Sequence, residues 1–274
     1  MNLLEAVFLG LVQGLTEFLP VSSSGHLVLF GALLGIEEPT IVFEILLHFG
    51  TLIAVFVVFW SDIIDLLKAA YKLISQPKRY KQLMNEDANV RIVLGIILGT
   101  IPVVIVGFLF KDFISQLFNA PVVAGLMLIV TGTILYISDK AYTDEKPAKA
   151  IEPKDGLIIG LGQAVAVIPG ISRSGTTIAV GLLRGIQRES AAKFSFLLSI
   201  PAVLGSQILA LSEVFAAQTV TTPFWVMAVG TLVSAVTGYF AIKLLLNILQ
   251  KRKLVFFSYY TWFVGLLVVF LSLK

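Results

Sequence analysis

Cysteine is absent from this 274-residue sequence, and histidine and charged residues are scarce. Without cysteine there is no disulfide framework, no thiolate nucleophile and no cysteine-ligated metal site, and 2 histidines are too few for an ordinary structural zinc site. Charged residues make up only 14% of the chain and hydrophobic residues 57%, whereas soluble domains are about 25% charged. The mean hydropathy is +0.94. This composition excludes an ordinary soluble enzyme, a disordered chain and a nucleic-acid-binding protein.

Long apolar segments dominate the chain, and a bilayer span needs about 20 mostly apolar residues. Six segments meet this requirement: 41–60, 92–110, 121–137, 191–211, 223–249 and 254–273. Two more apolar stretches, 3–35 and 156–185, are interrupted near their middle by proline, glycine and small polar residues. Irregular backbone at membrane depth is tolerated only where it is buried in protein or lines a wet cavity. We therefore predict that both stretches are re-entrant helical hairpins.

The basic residues are placed unevenly. If both hairpins return to the side from which they enter, 17 of the 20 lysines and arginines fall on one face of the membrane. The positive-inside rule makes that face cytoplasmic. Lys111 and Lys274 fall on the other face, and Arg173 lies within the membrane. This distribution predicts that the first hairpin enters from the outer side and the second from the inner side.

An internal repeat relates the two halves of the chain. At an offset of 150 residues, 10 of the 27 positions from 10 to 36 are identical without a gap, including a Ser-x-Ser-Gly motif. Each half has one hairpin and three spans, so the halves must have opposite orientations, as in many transporters. We predict an all-α polytopic membrane protein with six transmembrane helices and two re-entrant hairpins in an inverted repeat. A single domain, 1–274, would comprise the first repeat (1–138), a cytoplasmic linker (139–155) and the second repeat (156–274).

The first hairpin loop carries a cluster of polar side chains, which within a membrane are functional candidates by default. Gln13 and Glu17 are four residues apart and share one helix face. Ser22 and Ser23 precede His26 by four and three residues, so a hydroxyl can approach the imidazole. Ser23 or Ser24 could instead merely cap the following helix.

The second hairpin loop follows a Pro-Gly turn and carries Ser172, Arg173, Ser174, Thr176 and Thr177. Such a helix start exposes backbone N–H groups, which favour an anion together with the helix dipole. The guanidinium of Arg173 suits phosphate oxygens, although it could instead form a structural pair with Glu17. The two loops together indicate phosphate-ester or anhydride chemistry. His48 lies within a span that has no nearby charged motif, so packing is the favoured interpretation for it.

These two motifs resemble those of a known family. Residues 13–26, QGLTEFLPVSSSGH, resemble the first signature of the undecaprenyl-diphosphate phosphatases, the bacitracin-resistance membrane family, and residues 169–177, PGISRSGTT, resemble the second. The resemblance covers the whole chain. It implies hydrolysis of the lipid undecaprenyl diphosphate to undecaprenyl phosphate and phosphate, which recycles the carrier for cell-wall synthesis and confers bacitracin resistance. It also implies a bacterial inner-membrane protein, often dimeric, with a site open to the outer face.

The resemblance also assigns roles to individual residues. Glu17 matches the second acid of the first motif, and Ser23 and His26 match its hydroxyl and its histidine. Arg173 matches the arginine of the second motif, which Thr177 closes. The predicted catalytic residues are therefore Glu17, Ser23, His26 and Arg173. The predicted substrate-binding residues are Gln13, Ser24, Ser172, Ser174, Gly175 and Thr177.

Gln13 departs from the family pattern, which has glutamate at this position. A glutamine cannot act as an acid or a base and binds a divalent cation less well, but it can orient a water or hold Glu17. The resemblance implies help from a divalent cation such as Mg²⁺ or Ca²⁺. The substitution argues against a two-carboxylate metal site and leaves Glu17 as the candidate acid and metal ligand.

Two questions stay open at the level of the sequence. Ser23 with His26 as its base, and His26 as a direct nucleophile, are both chemically sensible. The second question is the class of function, because a carrier or flippase for anions or prenyl phosphates would also place Arg173 at the midplane. The cluster of Glu17, Ser23 and His26 favours the enzyme, since a carrier has no obvious need for it.

Overall fold

All regular secondary structure is helical in the part of the chain that the computed structural model describes, which comprises residues 1–34, 41–118, 120–142, 150–217, 222–251 and 254–273. The first half contains α1 (Leu3–Phe18), α2 (Ser23–Leu34), α3 (Ile41–Val58), α4 (Trp60–Ser75), α5 (Tyr80–Glu86), α6 (Ala88–Leu109), α7 (Lys111–Phe118) and α8 (Pro121–Ala141). The second half contains α9 (Pro153–Val165), α10 (Arg173–Leu183), α11 (Arg188–Ala217), α12 (Phe224–Lys251) and α13 (Val255–Ser272). A 3₁₀ turn, Pro77–Arg79, connects α4 to α5.

Five or six of these helices are long and apolar enough to cross a membrane. Helices α6, α8, α11, α12 and α13 qualify individually. Helices α3 and α4 qualify as a pair, but the chain bends by 83° between them. Each predicted span thus coincides with one of these helices, and the predicted span 41–60 corresponds to α3. The amphipathic α4 that follows it was not among the predicted elements.

Both interrupted stretches consist of two helices joined by a short irregular segment, as their sequences predict. In the first stretch, α1 ends at Phe18 and α2 begins at Ser23. In the second, α9 ends at Val165 and α10 begins at Arg173. We call residues 19–22 loop 1 and residues 166–172 loop 2.

Glycines allow close helix contacts in both halves. Helix α1 packs against α12, where a Cβ on Gly10 would lie 2.5 Å from the carbonyl oxygen of Gly230. Helix α9 packs against α6, where a Cβ on Gly99 would lie 2.6 Å from the carbonyl oxygen of Gly156. Small residues at such contacts let helix backbones approach closely, which is the usual basis of helix association in membranes. These two contacts hold the first helix of each hairpin in place.

Ion pairs gather several helix ends at one end of the molecule. Arg188, at the start of α11, donates to Asp139 near the end of α8 at 2.6 Å, and the same carboxylate accepts the Leu254 amide at 3.1 Å. Arg184, after α10, donates to Asp155 in the first turn of α9 at 2.9 Å. The two outer ends of the second hairpin are therefore adjacent. Of the basic residues behind the predicted topology, Lys146, Lys149, Arg252, Lys253 and Lys274 lie outside the described residues.

The contact between α6 and α9 generates a stability prediction. We expect Gly99→Ala to lower the apparent melting temperature in detergent by about 2–12 °C, because overpacking costs about 1–3 kcal/mol and each kcal/mol shifts the melting temperature of a chain of this size by about 2–4 °C. Gly107→Ala is the matched control on the same helix, since a Cβ there would meet nothing within 4 Å. Thermal unfolding of both variants checks this. Equal melting temperatures for the two variants would show that the contact is loose.

Candidate active site

The two hairpin loops are hydrogen-bonded to each other in both directions. Ser24 Oγ, in the first turn of α2, accepts the Gly170 amide of loop 2 at 3.3 Å. Ser174 Oγ, in the first turn of α10, donates to the Leu19 carbonyl of loop 1 at 3.2 Å. These serines occupy equivalent positions in the sequence repeat. The two broken helices therefore meet at their interruptions.

Each loop also has the same internal hydrogen bonds. Ser22 Oγ accepts the Gly25 amide at 3.3 Å and lies 3.2 Å from Ser24 Oγ. The equivalent contacts among residues 172–175 measure 3.0 and 3.2 Å. Ser22 has a φ of 69°, the left-handed conformation that is strained for a non-glycine residue, and no other non-glycine residue in the described part of the chain shares it. Because backbone strain of this kind is typical of functional sites, it favours a functional role for loop 1.

Glu17 is the centre of a hydrogen-bonded cluster at this junction. Its Oε1 accepts Arg173 Nη2 from the other hairpin at 2.7 Å. Its Oε2 accepts Ser23 Oγ at 2.7 Å and Gln13 Nε2 at 2.9 Å. The carboxylate is buried, with only 8% of the side chain exposed. The structure thus brings together three of the four predicted catalytic residues, and it places Gln13 where an amide holds Glu17.

His48 also faces Glu17, contrary to its interpretation as a packing residue. His48 Nε2 lies 3.9 Å from Glu17 Oε2, and its Nδ1 lies 2.9 Å from the Glu44 carbonyl oxygen. Because a carbonyl can only accept, Nδ1 carries the hydrogen and Nε2 of the neutral ring has a free lone pair. The side chain is 26% exposed. The sequence contained no local signal for this approach, since α1 and α3 meet only through tertiary packing.

His26 has a different environment from the predicted one. Its Nδ1 lies 2.8 Å from the Ser22 carbonyl oxygen, and its Nε2 lies 2.8 Å from the Tyr260 hydroxyl on α13. The expectation that a serine hydroxyl approaches this imidazole is wrong, because the main-chain carbonyl takes that place. Both ring nitrogens are occupied and the residue is 2% exposed. His26 therefore holds loop 1 against α13.

Some of the main-chain amides around the Pro-Gly turn already have partners within the protein, so fewer of them than expected are left for an anion. Ser24 Oγ accepts a hydrogen bond from the Gly170 amide, and Thr131 Oγ1 on α8 accepts one from the Ser172 amide at 3.0 Å. Thr131 also donates to the Gly170 carbonyl at 3.0 Å, so one hydroxyl fixes both sides of the turn. The guanidinium of Arg173, in the first turn of α10, adds a full positive charge at this helix start.

Several predicted substrate-binding residues are interior. Thr177 is fully buried; its hydroxyl donates to the Arg173 carbonyl at 2.7 Å and lies 2.6 Å from Ser195 Oγ. Direct contact with a substrate does not fit this position, and Thr177 instead supports the helix behind Arg173. Ser172 and Ser174 are each 1% exposed, and Gly175 is buried between them. Their hydrogen bonds shape the loops, whereas Ser23, Ser24 and Arg173 are less buried.

Two buried polar atoms of the cluster lack partners among the described residues. They are Arg173 Nη1 and Gln13 Oε1. A buried donor without a partner is energetically unfavourable, so Arg173 Nη1 is suited to donate a hydrogen bond to an anionic oxygen of a ligand. Gln13 Oε1 and the Glu17 carboxylate are the kind of oxygens that Mg²⁺ and Ca²⁺ prefer. No group of three His, Asp or Glu residues within the described ranges is placed to hold a metal, so a cation would need phosphate oxygens of the substrate as further ligands.

The bonds of Thr131 generate a prediction. Thr131→Val leaves the Gly170 carbonyl and the Ser172 amide buried without a partner, at about 1–3 kcal/mol for each group. We expect an apparent melting temperature clearly below that of the parent protein, and recovery in Thr131→Ser. Thr100→Val is the control, because Thr100 bonds only to its own helix at Ile96. A melting temperature for Thr131→Val equal to that of Thr100→Val would contradict the assigned role.

Comparison with known proteins agrees with this geometry. A family described as "Bacitracin resistance protein BacA" matches residues 6–267. Proteins named undecaprenyl-diphosphatase are similar over nearly their whole length: that of Halothermothrix orenii is 42% identical over 272 residues, covering 99% of both chains. That of Alkaliphilus metalliredigens is 43% identical over 274 residues, covering 100% of both. Undecaprenyl-diphosphatase 4 of Bacillus thuringiensis is 40% identical, covering 99% of this chain and 98% of its own. The chain belongs to the bacitracin resistance protein BacA family.

Proposed function

We propose that this protein hydrolyses undecaprenyl diphosphate to undecaprenyl phosphate and inorganic phosphate. The substrate follows from the names of its relatives and the family. The observation that carries the assignment is Glu17, whose two oxygens bind the Ser23 hydroxyl and the Arg173 guanidinium. A nucleophile, its base and a phosphate-binding cation are thereby joined in one cluster. The reaction recycles the lipid carrier for cell-wall synthesis, and bacitracin resistance follows from removal of the diphosphate lipid.

In the first step, Ser23 Oγ attacks the terminal phosphorus. Its proton passes to Glu17 Oε2, 2.7 Å away. The new bond joins Oγ to phosphorus, and the anhydride oxygen leaves with its electron pair as undecaprenyl phosphate. Arg173 Nη1, which lacks a partner among the described residues, binds an equatorial phosphate oxygen and stabilises the charge that develops there. Ser23 is favoured over His26 because both ring nitrogens of His26 are occupied.

In the second step, water attacks the phosphoserine. His48 Nε2, which faces the cluster with a free lone pair, takes a proton from this water. The bond between phosphorus and Ser23 Oγ breaks, and Oγ recovers its proton from Glu17. Phosphate departs, and the partly exposed His48 returns its proton to solvent. The acid, the hydroxyl and the histidine all regain their starting states.

A divalent cation fits this site only together with the substrate. Glu17 and Gln13 Oε1 would hold it, and phosphate oxygens would complete its shell. When bound, such a cation would neutralise phosphate charge. The steps assigned above to Ser23, Glu17 and His48 use only the protein's own groups. Gln13 also holds Glu17 through its amide, a role that does not depend on the cation.

The membrane arrangement that we propose is an inverted repeat of two re-entrant hairpins and six spans, with the site open to the outer face of the inner membrane. The matching hydrogen bonds of the two loops and the paired contacts α1–α12 and α9–α6 support the repeat. The ion pair between Arg184 and Asp155 supports a second hairpin that returns to its side of entry. Dimer formation stays a prediction from the family resemblance.

A carrier or flippase for prenyl phosphates is the alternative. It would also use Arg173, but it would not need Ser23 hydrogen-bonded to a carboxylate. Phosphate release from a prenyl diphosphate by the purified protein distinguishes the two. No release, combined with lipid counterflow in liposomes, would favour the carrier.

Activity measurements on single variants test the assigned roles. We expect Glu17→Gln, Ser23→Ala and Arg173→Ala each to lower kcat by about 10²–10⁴-fold, as is typical for loss of a base, a nucleophile or a charge-stabilising donor. His26→Asn should lower kcat by a smaller factor, because we assign His26 the role of holding loop 1 against α13. The control is Ser206→Ala, since Ser206 is exposed and the hydrogen bonds described for it lie within its own helix, to the Val203 carbonyl and the Gln207 side chain. Full activity of Arg173→Ala would refute phosphate binding by this residue.

The chemical stability of a trapped intermediate tests the nucleophile. A phosphoserine survives an acid quench, whereas a phosphohistidine does not. We expect labelled phosphate to remain bound after acid and to map to Ser23 by mass spectrometry. His48→Gln should raise the trapped fraction, because its loss slows the second step. An acid-labile label that is absent from His26→Asn would instead identify His26.

A further inference from the structure

Helix α4 has three distinct faces and lies nearly perpendicular to the spanning helix α3. One face packs against the protein: Ile63 and Ala69 are buried, and Ala69 shares a core cluster with Leu83, Val90 and Val93. This cluster fixes α4 against α5 and α6. The other two faces are unlike each other and point away from this core.

The second face is an exposed apolar stripe. It consists of four large side chains that are 61%, 60%, 72% and 80% exposed: Trp60, Leu67, Tyr71 and Ile74. Their spacing of seven, four and three residues places them along one side of the helix. A helix of this kind beside a membrane span lies in the interface plane with its apolar side among the lipid chains. Tryptophan and tyrosine are the side chains favoured at that depth.

The third face is polar and leads into a basic turn. Lys68 and Lys72 lie on this face, where they bond to Asp65 at 3.0 Å and Asp87 at 2.8 Å. The hydrogen bond from Lys72 lowers the pKa of the Asp87 carboxyl below its ordinary value. These two lysines are thus largely neutralised locally.

The basic residues of the turn after α4 differ from Lys68 and Lys72, because the bonds described for them do not involve carboxylates. Lys78, Arg79 and Lys81 are exposed and nearly consecutive. Arg79 bonds to the neutral side-chain amides of Gln76 and Gln82, each at 3.0 Å, so its charge is not cancelled by these bonds. Three such cations beside a stripe inserted into lipid would lie at the level of the headgroups. Each basic residue near an anionic membrane surface strengthens the attraction.

We propose that α4 and the turn 77–81 form a docking surface for anionic phospholipids of the leaflet at this end of the molecule. The apolar stripe lies among the acyl chains, and Lys78, Arg79 and Lys81 bind the phosphate headgroups. The inference is independent of the proposed reaction. It has a consequence for the site, because α3, which continues into α4, carries His48. Anchoring α4 in the interface sets the depth of that histidine in the membrane.

Fluorescence of Trp60 tests this surface in the full-length protein. Trp225→Phe and Trp262→Phe leave Trp60 as the only tryptophan. The protein is reconstituted in phosphatidylcholine vesicles that contain traces of dansyl-labelled phosphatidylglycerol or dansyl-labelled phosphatidylcholine. We expect at least about twofold more energy transfer from Trp60 to the anionic probe. Brominated lipids should quench Trp60, and aqueous iodide should not.

Charge variants separate a local surface from general attraction. Lys78→Gln, Arg79→Gln and Lys81→Gln together should remove the preference for the anionic probe. The matched control removes the same charge elsewhere, at Lys140, Lys154 and Lys243, each changed to glutamine, and should keep the preference. Equal transfer to the two probes in the parent protein would overturn the proposal, as would an equal loss in both triple variants.

The quenching measurements distinguish lipid from water and from protein as the neighbour of the apolar stripe. Strong iodide quenching of Trp60 would place the stripe in water and overturn the proposal. Shielding from both iodide and brominated lipid would mean that protein covers it, which would also overturn the proposal. Crosslinking through Leu67→Cys would then show whether that protein is a second copy of this chain. An unchanged melting temperature for both triple variants confirms that they are folded.

Discussion

The ion pair between Glu17 and Arg173 is the constraint on which the site depends. It joins residues 156 positions apart, one from each broken helix, at 2.7 Å. Both side chains are mostly buried, at 8% and 16% exposure, where an unpaired charge is strongly destabilising. Each broken helix therefore supplies the charge that neutralises the buried charge of the other. The same pair gathers a hydroxyl, a carboxylate and a guanidinium into one cluster, because Glu17 also accepts the Ser23 hydroxyl.

A second layer of uncharged hydrogen bonds holds the pair in place. Ser24 and Ser174 connect the loops, and Thr131 binds both sides of the turn before Arg173. Leu128, on the same helix as Thr131, would be 3.2 Å from a Cβ at Gly25, so α8 supports both loops. This rigid support is what a catalytic cluster requires, because small displacements of reacting groups reduce rates greatly. The glycines in these loops and helices permit the close approach.

Local sequence was sufficient for the broken helices and for the contact between Gln13 and Glu17, whereas the family resemblance was needed to select Ser23 and Arg173. Proline, glycine and serine end α1 and α9 for reasons that lie within a few residues, and Gln13 reaches Glu17 because four residues make one helical turn. The roles of His48, Tyr260 and Thr131 were beyond sequence reasoning. Each depends on the packing of helices distant in the chain, which no local pattern encodes. The bend between α3 and α4 was not predicted, because residues 51–75 contain no proline or glycine that would mark it.

Positions that are equivalent at the offset of 150 residues carry different functional groups in the two halves of the site. Ser23 and Arg173 occupy the same position in the two copies of the repeat, whereas Glu17 corresponds to Val167 and His26 to Thr176. One broken helix thus carries the hydroxyl and the acid of the proposed reaction, and the other carries the guanidinium that is proposed to bind phosphate. Two identical copies would carry the same residue at this position, so they could not supply a hydroxyl and a guanidinium together. The proposed chemistry therefore depends on the difference between the two halves at this position.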